Sequence, residues 1–377
     1  MLKKLNIPQS RLRQLRAFKL GKKSYEFQDN KNNKTLIDLC SNDYFGLSRD
    51  KEVINASYQT ALREGLGSGG SRFISGTRTI HKILEEKLAK WLNQERVLLF
   101  PSGFQANIAA IQVLADKDTI VIADKFIHNS LIVGIQAANA KLVRFLHNNP
   151  NDLERKIHKY LDKQNILVVI ESLYSMEGTT APLKEITRIC KKNNINLLVD
   201  EAHALGILGP KGKGLSINFP GDVDIISGTF GKSFGSGGAF LACNEKIAER
   251  IIQTSGAFRY TTALSPTLAA GALRSLEKII NNDCWGKDLL NLSKVWKNEI
   301  NNLNYSVQGD CHILSIIIGE EKETLKIQKF LEDNGFLAVG IRPPTVPVGK
   351  SRIRITIRKG LNKELLKSFI HTLKSYK

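Results

Sequence analysis

Between about residues 85 and 245, short apolar runs alternate with stretches of helical periodicity. The runs are Val97 to Phe100, Thr119 to Ile122, Ile166 to Ile170, Ile195 to Val199, Val223 to Ile226 and Gly238 to Ala242. They are nearly continuous rather than apolar at every second position, which is the pattern of strands buried on both faces. Strands separated by helices in this way predict an α/β fold, with a mostly parallel sheet covered by helices on both sides.

Beyond about residue 270 the texture changes. A helical region rich in Asn, Lys and Leu is followed by a strand from Ile313 to Ile318, a helix from about Glu320 to Asn334, a strand from Arg352 to Thr356 and a closing helix. These strands are too few and too late to extend the main sheet, so they predict a smaller α+β domain. The expected organisation is an N-terminal arm over residues 1–44, a large domain over 45–270 and a small C-terminal domain over 271–377, with the binding site in the cleft between the domains. In the arm, Ser10 is placed to cap a helix with Leu12, Leu15 and Phe18 on one face.

Composition narrows the function classes. At 377 residues and 42% hydrophobic, the chain can bury a large core. The net charge of +19 invites a reading as a basic nucleic-acid-binding protein on an α/β scaffold. The basic residues are spread along the whole chain, however, without an arginine-rich tail, zinc finger or RNA-binding signature, and no nucleic-acid partner is expected. Diffuse basicity raises encounter rates with anionic substrates instead. The five cysteines are scattered and lack any Cys-x-x-Cys pair, so neither a disulfide framework nor a metal site is expected, and a cytoplasmic location fits best. No apolar stretch reaches membrane-spanning length. The first 25 residues have the basic composition of a mitochondrial presequence, but an arm packed on the body is the simpler account.

Two segments carry the chemistry. Asp200-Glu-Ala-His203 ends an apolar run, where ligands bind in open α/β sheets, and Thr229-Phe-Gly-Lys-Ser-Phe-Gly235 follows it. Lys232 suits a Schiff base with the aldehyde of pyridoxal 5'-phosphate (PLP), and a carboxylate at Asp200 suits the pyridine nitrogen. A phosphate loop is excluded by spacing, because the position that must be its first glycine is Ile226. Taken singly, Lys232 reads equally as a solvated lysine in a glycine-rich loop and Asp200 as a helix cap. The two in this order, with His203 a turn beyond, favour the cofactor.

Other strand ends add candidates. Ser102, Gly103 and Phe104 open a helix, where free N–H groups attract a phosphate, although Ser-Gly turns are common. His128 is placed to stack on a pyridine ring or, as a lone histidine, simply to pack. Ser175, in a glycine-containing turn, offers a hydroxyl to the cofactor or serves the turn alone.

Several segments together resemble a known family. Ser41-Asn-Asp-Tyr-Phe-Gly-Leu47, Gly67-Ser-Gly-Gly-Ser71, Ser102-Gly-Phe-Gln-Ala-Asn107, Asp200-Glu-Ala-His203 and Thr229-Phe-Gly-Lys232 are similar to motifs of the α-oxoamine synthases, PLP enzymes of the aspartate aminotransferase fold (fold type I). The likeness runs from about residue 38 to 360. It implies that Lys232 is the Schiff-base lysine and proton shuttle, Asp200 the partner of the pyridine nitrogen, His203 a donor to the ring oxygen and His128 the stacking residue. Ser102, Gly103, Phe104 and Thr229 then surround the phosphate, and Ser175 contacts the cofactor. Arg354 and Asn42 bind substrate, Arg354 through the amino-acid carboxylate, which its planar fork matches. In the alternating run Arg352 to Arg358, a solvent-facing strand residue is the competing account of Arg354.

The implied reaction is decarboxylative condensation of L-alanine with a pimeloyl thioester, on coenzyme A or acyl carrier protein, in biotin biosynthesis. Relatives that use glycine with acetyl-coenzyme A share the same core. Ile341-Arg-Pro-Pro-Thr-Val-Pro347, with Pro343 where glycine-using relatives often carry a bulkier group, favours pimeloyl, unless the prolines only stiffen a loop. The fold type also implies a homodimer, with Tyr260-Thr-Thr262 reaching the neighbouring cofactor phosphate.

Overall fold

The apolar runs assemble into one seven-stranded sheet in the computed structural model, which describes residues 7–30, 33–161 and 165–376. Its strands are β1 (Arg96–Phe100), β2 (Thr119–Asp124), β3 (Lys141–Phe145), β4 (Asn165–Glu171), β5 (Asn196–Asp200), β6 (Ile225–Thr229) and β7 (Ala239–Cys243). Their order across the sheet is β1-β7-β6-β5-β4-β2-β3. The ladders joining β6, β5, β4, β2 and β3 are parallel, and β7 runs antiparallel to both its neighbours. All six residues of β2 are buried, as a strand covered on both faces requires. The expectation of a mostly parallel α/β sheet is borne out. The edge strand β3, only one of whose residues is buried, has no sustained apolar run and was not anticipated.

The chain divides into two compact units. The larger comprises Leu47–Tyr174 and Thr180–Lys287 and contains the seven-stranded sheet. The smaller comprises Met1–Gly46, Ser175–Thr179 and Asp288–Lys377. It holds two four-stranded sheets: Phe18–Leu20, Glu26–Asp29, Thr35–Asp38 and Phe336–Leu337 in one, and Ser306–Gln308, Ile313–Gly319, Ser351–Thr356 and Val339–Ile341 in the other.

The helix expected after Ser10 does not form. Gln9–Arg11 is a single 3-10 turn, the chain then has no regular structure up to the strand at Phe18, and Leu12 and Leu15 are 52% and 105% exposed. Polar contacts hold the arm instead of an apolar stripe. Arg11 and Ser10 bond the Glu321 carboxylate, Arg16 bonds Asp29 and Glu332, and Arg342 donates to the Ser10 carbonyl at 2.7 Å. A side-chain network of this kind leaves no periodicity to read.

One buried histidine of the larger unit makes folding sensitive to acid. His81 accepts from the Arg78 N–H at its Nδ1 (3.1 Å), and its Nε2 lies 2.8 Å from the Leu264 carbonyl. Nε2 therefore carries the hydrogen and the ring is neutral. Burial first, and the nearby Arg72, lower its pKa from 6.5 to about 4. Because the unfolded chain takes up this proton first, the contribution of His81 is complete above the unfolded pKa and is lost as pH falls from 6.5 towards 4. The denaturant midpoint of the wild type is expected to fall more steeply across that window than that of His81→Asn. Parallel profiles for the two proteins would refute the assignment.

Candidate active site

Lys232 sits on a loop fixed from both sides. Phe230 and Phe234 are fully buried with ring centroids 5.4 Å apart, and Ser233 Oγ donates to the Leu205 carbonyl at 2.6 Å. Gly235 closes the loop at φ 57°, where a Cβ would come within 2.1 Å of the Ser48 nitrogen. Only glycine satisfies both conditions. The amine is thus carried, half-buried, on a segment with little freedom to move.

Sheet register brings the other groups to the same end of the strands. Asp200 ends β5 opposite Ser227 of β6, and Ala239 of β7 pairs with both Thr229 and Phe100, the last residue of β1. Immediately after β1, Ser102 caps the helix Gly103–Leu114 by accepting from the Gln105 N–H. A Cβ on Gly103 would lie 3.7 Å from that of Thr229, so the helix N-terminus and Thr229 are neighbours. Thr229 Oγ1 donates to the Gly238 carbonyl and accepts from the Gly231 N–H. Phe104 is 44% exposed beside this N-terminus.

Asp200 is 6% exposed and takes its hydrogen bonds from neutral donors. The Ala202 N–H bonds Oδ1 at 2.9 Å and the Asn107 amide bonds Oδ2 at 2.8 Å. Neither donor carries a charge, so the carboxylate suits a cationic partner. The adjacent Glu201 is structural. It is fully buried, accepts from Ser172, Leu215 and Ser216, and burial pushes its carboxyl up. His203, beyond it, is buried in the turn that follows β5.

His128 caps the helix Asn129–Ala137, its Nδ1 meeting the N–H and hydroxyl of Ser130 at 3.2 and 2.7 Å. That edge of the ring is secured while the residue itself is exposed, which leaves an imidazole face open to an aromatic partner. Desolvation, opposed by Asp200 and reinforced by Lys232, lowers its pKa. Asp200 and Lys232 both act electrostatically on His128, which puts the three residues in one neighbourhood.

Asn42, Ser175 and Arg354 belong to the smaller unit and form a group of their own. Arg354 is 4% exposed, not solvent-facing, and donates to the Ser175 carbonyl (2.7 Å), Asn42 Oδ1 (3.1 Å) and Thr356 Oγ1 (3.1 Å). All three acceptors are uncharged. Arg352, two residues away and also buried, is committed to Glu177 at 3.4 Å. Arg354 is thus the guanidinium of this strand suited to an incoming carboxylate, a distinction that alternation along the strand did not carry. What the structure gives Ser175 is a carbonyl that accepts from Arg354, a part the chain did not suggest.

These residues fit PLP. A constrained primary amine suits its aldehyde, a buried carboxylate with neutral partners suits a pyridinium, an edge-anchored imidazole suits a ring face, and the helix N-terminus at Gly103 suits a phosphate. Among the described residues no group of His, Cys, Asp or Glu side chains is gathered to hold a metal. Three polar residues of this site, Asn107, Ser130 and Ser227, were not singled out from the sequence. Asn107 lay within a noted motif, but nothing in the chain marked its partners.

Fold and side chains together define a PLP-dependent enzyme, and the chain belongs to the aminotransferase class I and II family, whose model matches residues 34–373. Within that class it is an α-oxoamine synthase, as its relatives show. It is 37% identical over 329 residues to the 8-amino-7-oxononanoate synthase of Cellvibrio japonicus (strain Ueda107), covering 86% of this chain and 82% of that protein. The Salmonella dublin protein of the same name is 38% identical over 331 residues, covering 86% and 85%. Among solved structures, Sphingomonas wittichii serine palmitoyltransferase superposes with a TM-score of 0.90 at 29% identity, covering 93% of this chain and 89% of that one. Francisella tularensis 8-amino-7-oxononanoate synthase does so with a TM-score of 0.78 at 25% identity, covering 90% and 97%. A serine palmitoyltransferase with a TM-score of 0.91 and 28% identity, covering 95% and 92%, was solved with PLP bound.

Proposed function

We propose that the protein condenses L-alanine with a pimeloyl thioester, on coenzyme A or acyl carrier protein, to give 8-amino-7-oxononanoate, carbon dioxide and the free thiol. The observation that carries this reading is the name shared by relatives 37–38% identical over 86% of the chain. When bound, PLP withdraws electrons from the substrate α-carbon. Lys232 holds the cofactor, then takes the α-proton and returns it after carbon dioxide leaves. Asp200 faces the ring nitrogen, His203 the ring oxygen and His128 the ring face. Ser102, Gly103, Phe104 and Thr229 hold the phosphate. Arg354, aided by Asn42, grips the alanine carboxylate. The test is a panel of alanine, glycine and serine against pimeloyl, acetyl, succinyl and long-chain acyl thioesters. Alanine with a pimeloyl donor is expected to lead, and a clear preference for glycine with acetyl-coenzyme A would overturn the substrate assignment.

Arg354→Lys keeps the charge but loses the fork. Losing one hydrogen bond between charged groups costs roughly 1.5–3 kcal/mol, so the KM for alanine is expected to rise about 10- to 100-fold while the KM for the thioester stays nearly constant. An unchanged alanine KM would remove Arg354 from the carboxylate site.

A homodimer is supported by an apolar stripe on the helix Lys51–Glu64, where Ile54, Tyr58 and Leu62 follow at one-turn spacing and are 51%, 56% and 65% exposed. Leu66, Ile74 and Tyr260 of the same unit are also exposed. Patches of this kind mark interfaces. Light scattering is expected to give twice the chain mass, and Leu62→Glu to shift the population towards monomer. A fully active wild-type monomer would sink the proposal.

A further inference from the structure

We infer that Asn107 is a positioning residue that aims the Asp200 carboxylate and, through Ser130, sets the tautomer of His128. The inference rests on the cofactor roles given above to Asp200 and His128. Asn107 is 3% exposed and every polar atom of its side chain is engaged. Nδ2 donates to Asp200 Oδ2 at 2.8 Å and to Ser130 Oγ at 2.9 Å, while Oδ1 accepts from Ser227 Oγ at 2.6 Å.

The direction of these bonds has one source. Ser130 and Ser227 are hydroxyls, which donate or accept, so neither dictates which way the amide faces. The Asp200 carboxylate only accepts, and a flipped amide would set oxygen against oxygen. Having accepted from Asn107, Ser130 turns its single proton to His128 Nδ1 at 2.7 Å, where its own backbone N–H also donates at 3.2 Å. Two donors on Nδ1 exclude a proton there. The imidazole therefore carries its hydrogen on Nε2.

Asp200 thus depends on this amide directly, and His128 depends on it for the hydroxyl donor that reinforces the Ser130 backbone N–H on Nδ1. Without it, Asp200 retains only the Ala202 N–H on Oδ1 and is free to swing, and the Ser130 hydroxyl is free to turn from His128. A merely structural Asn107 would fill the space between its helix and the sheet and do nothing else.

The test uses the full-length protein with 15N-labelled histidine, and the holoenzyme loaded with PLP labelled at its ring nitrogen. In the wild type, His128 is expected as the Nε2–H tautomer and the pyridine nitrogen as protonated. Asn107→Asp is nearly isosteric and keeps the Ser227 bond, but offers oxygen where Asp200 and Ser130 need N–H. In that variant the His128 spectrum is expected to gain Nδ1–H, the pyridine nitrogen signal to move from its wild-type position, and kcat to fall roughly 10- to 100-fold with little change in KM. The added charge alone would raise the His128 pKa without moving its proton between nitrogens. Ser130→Ala separates the two branches, and is expected to disturb His128 while leaving the pyridine nitrogen as in the wild type. An Nδ1–H tautomer in the wild type, or an Asn107→Asp variant that changes only the melting temperature, would overturn the inference. A wild-type pyridine nitrogen without its proton would instead remove the role of Asp200 on which it stands.

Discussion

Lys232→Ala is expected to give a folded protein that has lost the visible absorbance of the bound cofactor, no longer retains PLP on borohydride reduction, and turns over at least about 10⁴-fold more slowly. That figure is the upper end of what loss of a general acid–base group costs, and Lys232 is asked in addition to anchor the cofactor. The fold should survive. The loop is held by the buried rings of Phe230 and Phe234, by the Ser233 hydroxyl on the Leu205 carbonyl and by the close approach at Gly235, none of which involves the amine. Near-ultraviolet circular dichroism checks that point independently. Turnover within tenfold of the wild type in a folded Lys232→Ala variant would end the assignment.

Asp200→Asn is expected to lower kcat by at least about 10²-fold while leaving PLP bound. Two effects combine. A neutral amide cannot stabilise a protonated pyridine as a carboxylate does, at a cost of roughly 1.5–3 kcal/mol. Both carboxylate oxygens also accept hydrogen bonds, from the Ala202 N–H and the Asn107 amide, so one end of the new amide faces a donor with a donor. A buried polar group left unpaired costs a further 1–3 kcal/mol or so. The step that suffers should be removal of the α-proton, read as exchange of the alanine α-hydrogen with deuterium in solvent water. Exchange at the wild-type rate would refute the role of Asp200.

Much of this architecture was legible in the chain because its strands are covered on both faces. Full burial leaves continuous apolar runs, and six of the seven main-sheet strands were read from them. The edge strand Lys141–Phe145, exposed along much of its length, left no such trace. Lys232 and Asp200 stand out as candidates for a related reason. Each lies in a local motif, a glycine-rich turn or a strand end, whose meaning is contained within a few residues.

Where the meaning of a residue lay in partners distant along the chain, the pattern was silent or misleading. The arm after Ser10 reads as an amphipathic helix with Leu12, Leu15 and Phe18 on one face, but the structure holds it through carboxylates at Glu321 and Glu332. Arg352 and Arg354 are indistinguishable as alternate residues of one strand. Tertiary packing buries both, pairs Arg352 with Glu177 and gives Arg354 only uncharged acceptors, one of them on Asn42. Asn107 meets a serine 23 residues away, an aspartate 93 away and another serine 120 away. Periodicity records which face of an element is buried, and so it determined the sheet and the elements that carry the cofactor chemistry. Hydrogen bonds between side chains far apart in the chain have no period, and only the folded arrangement decided which buried polar groups meet.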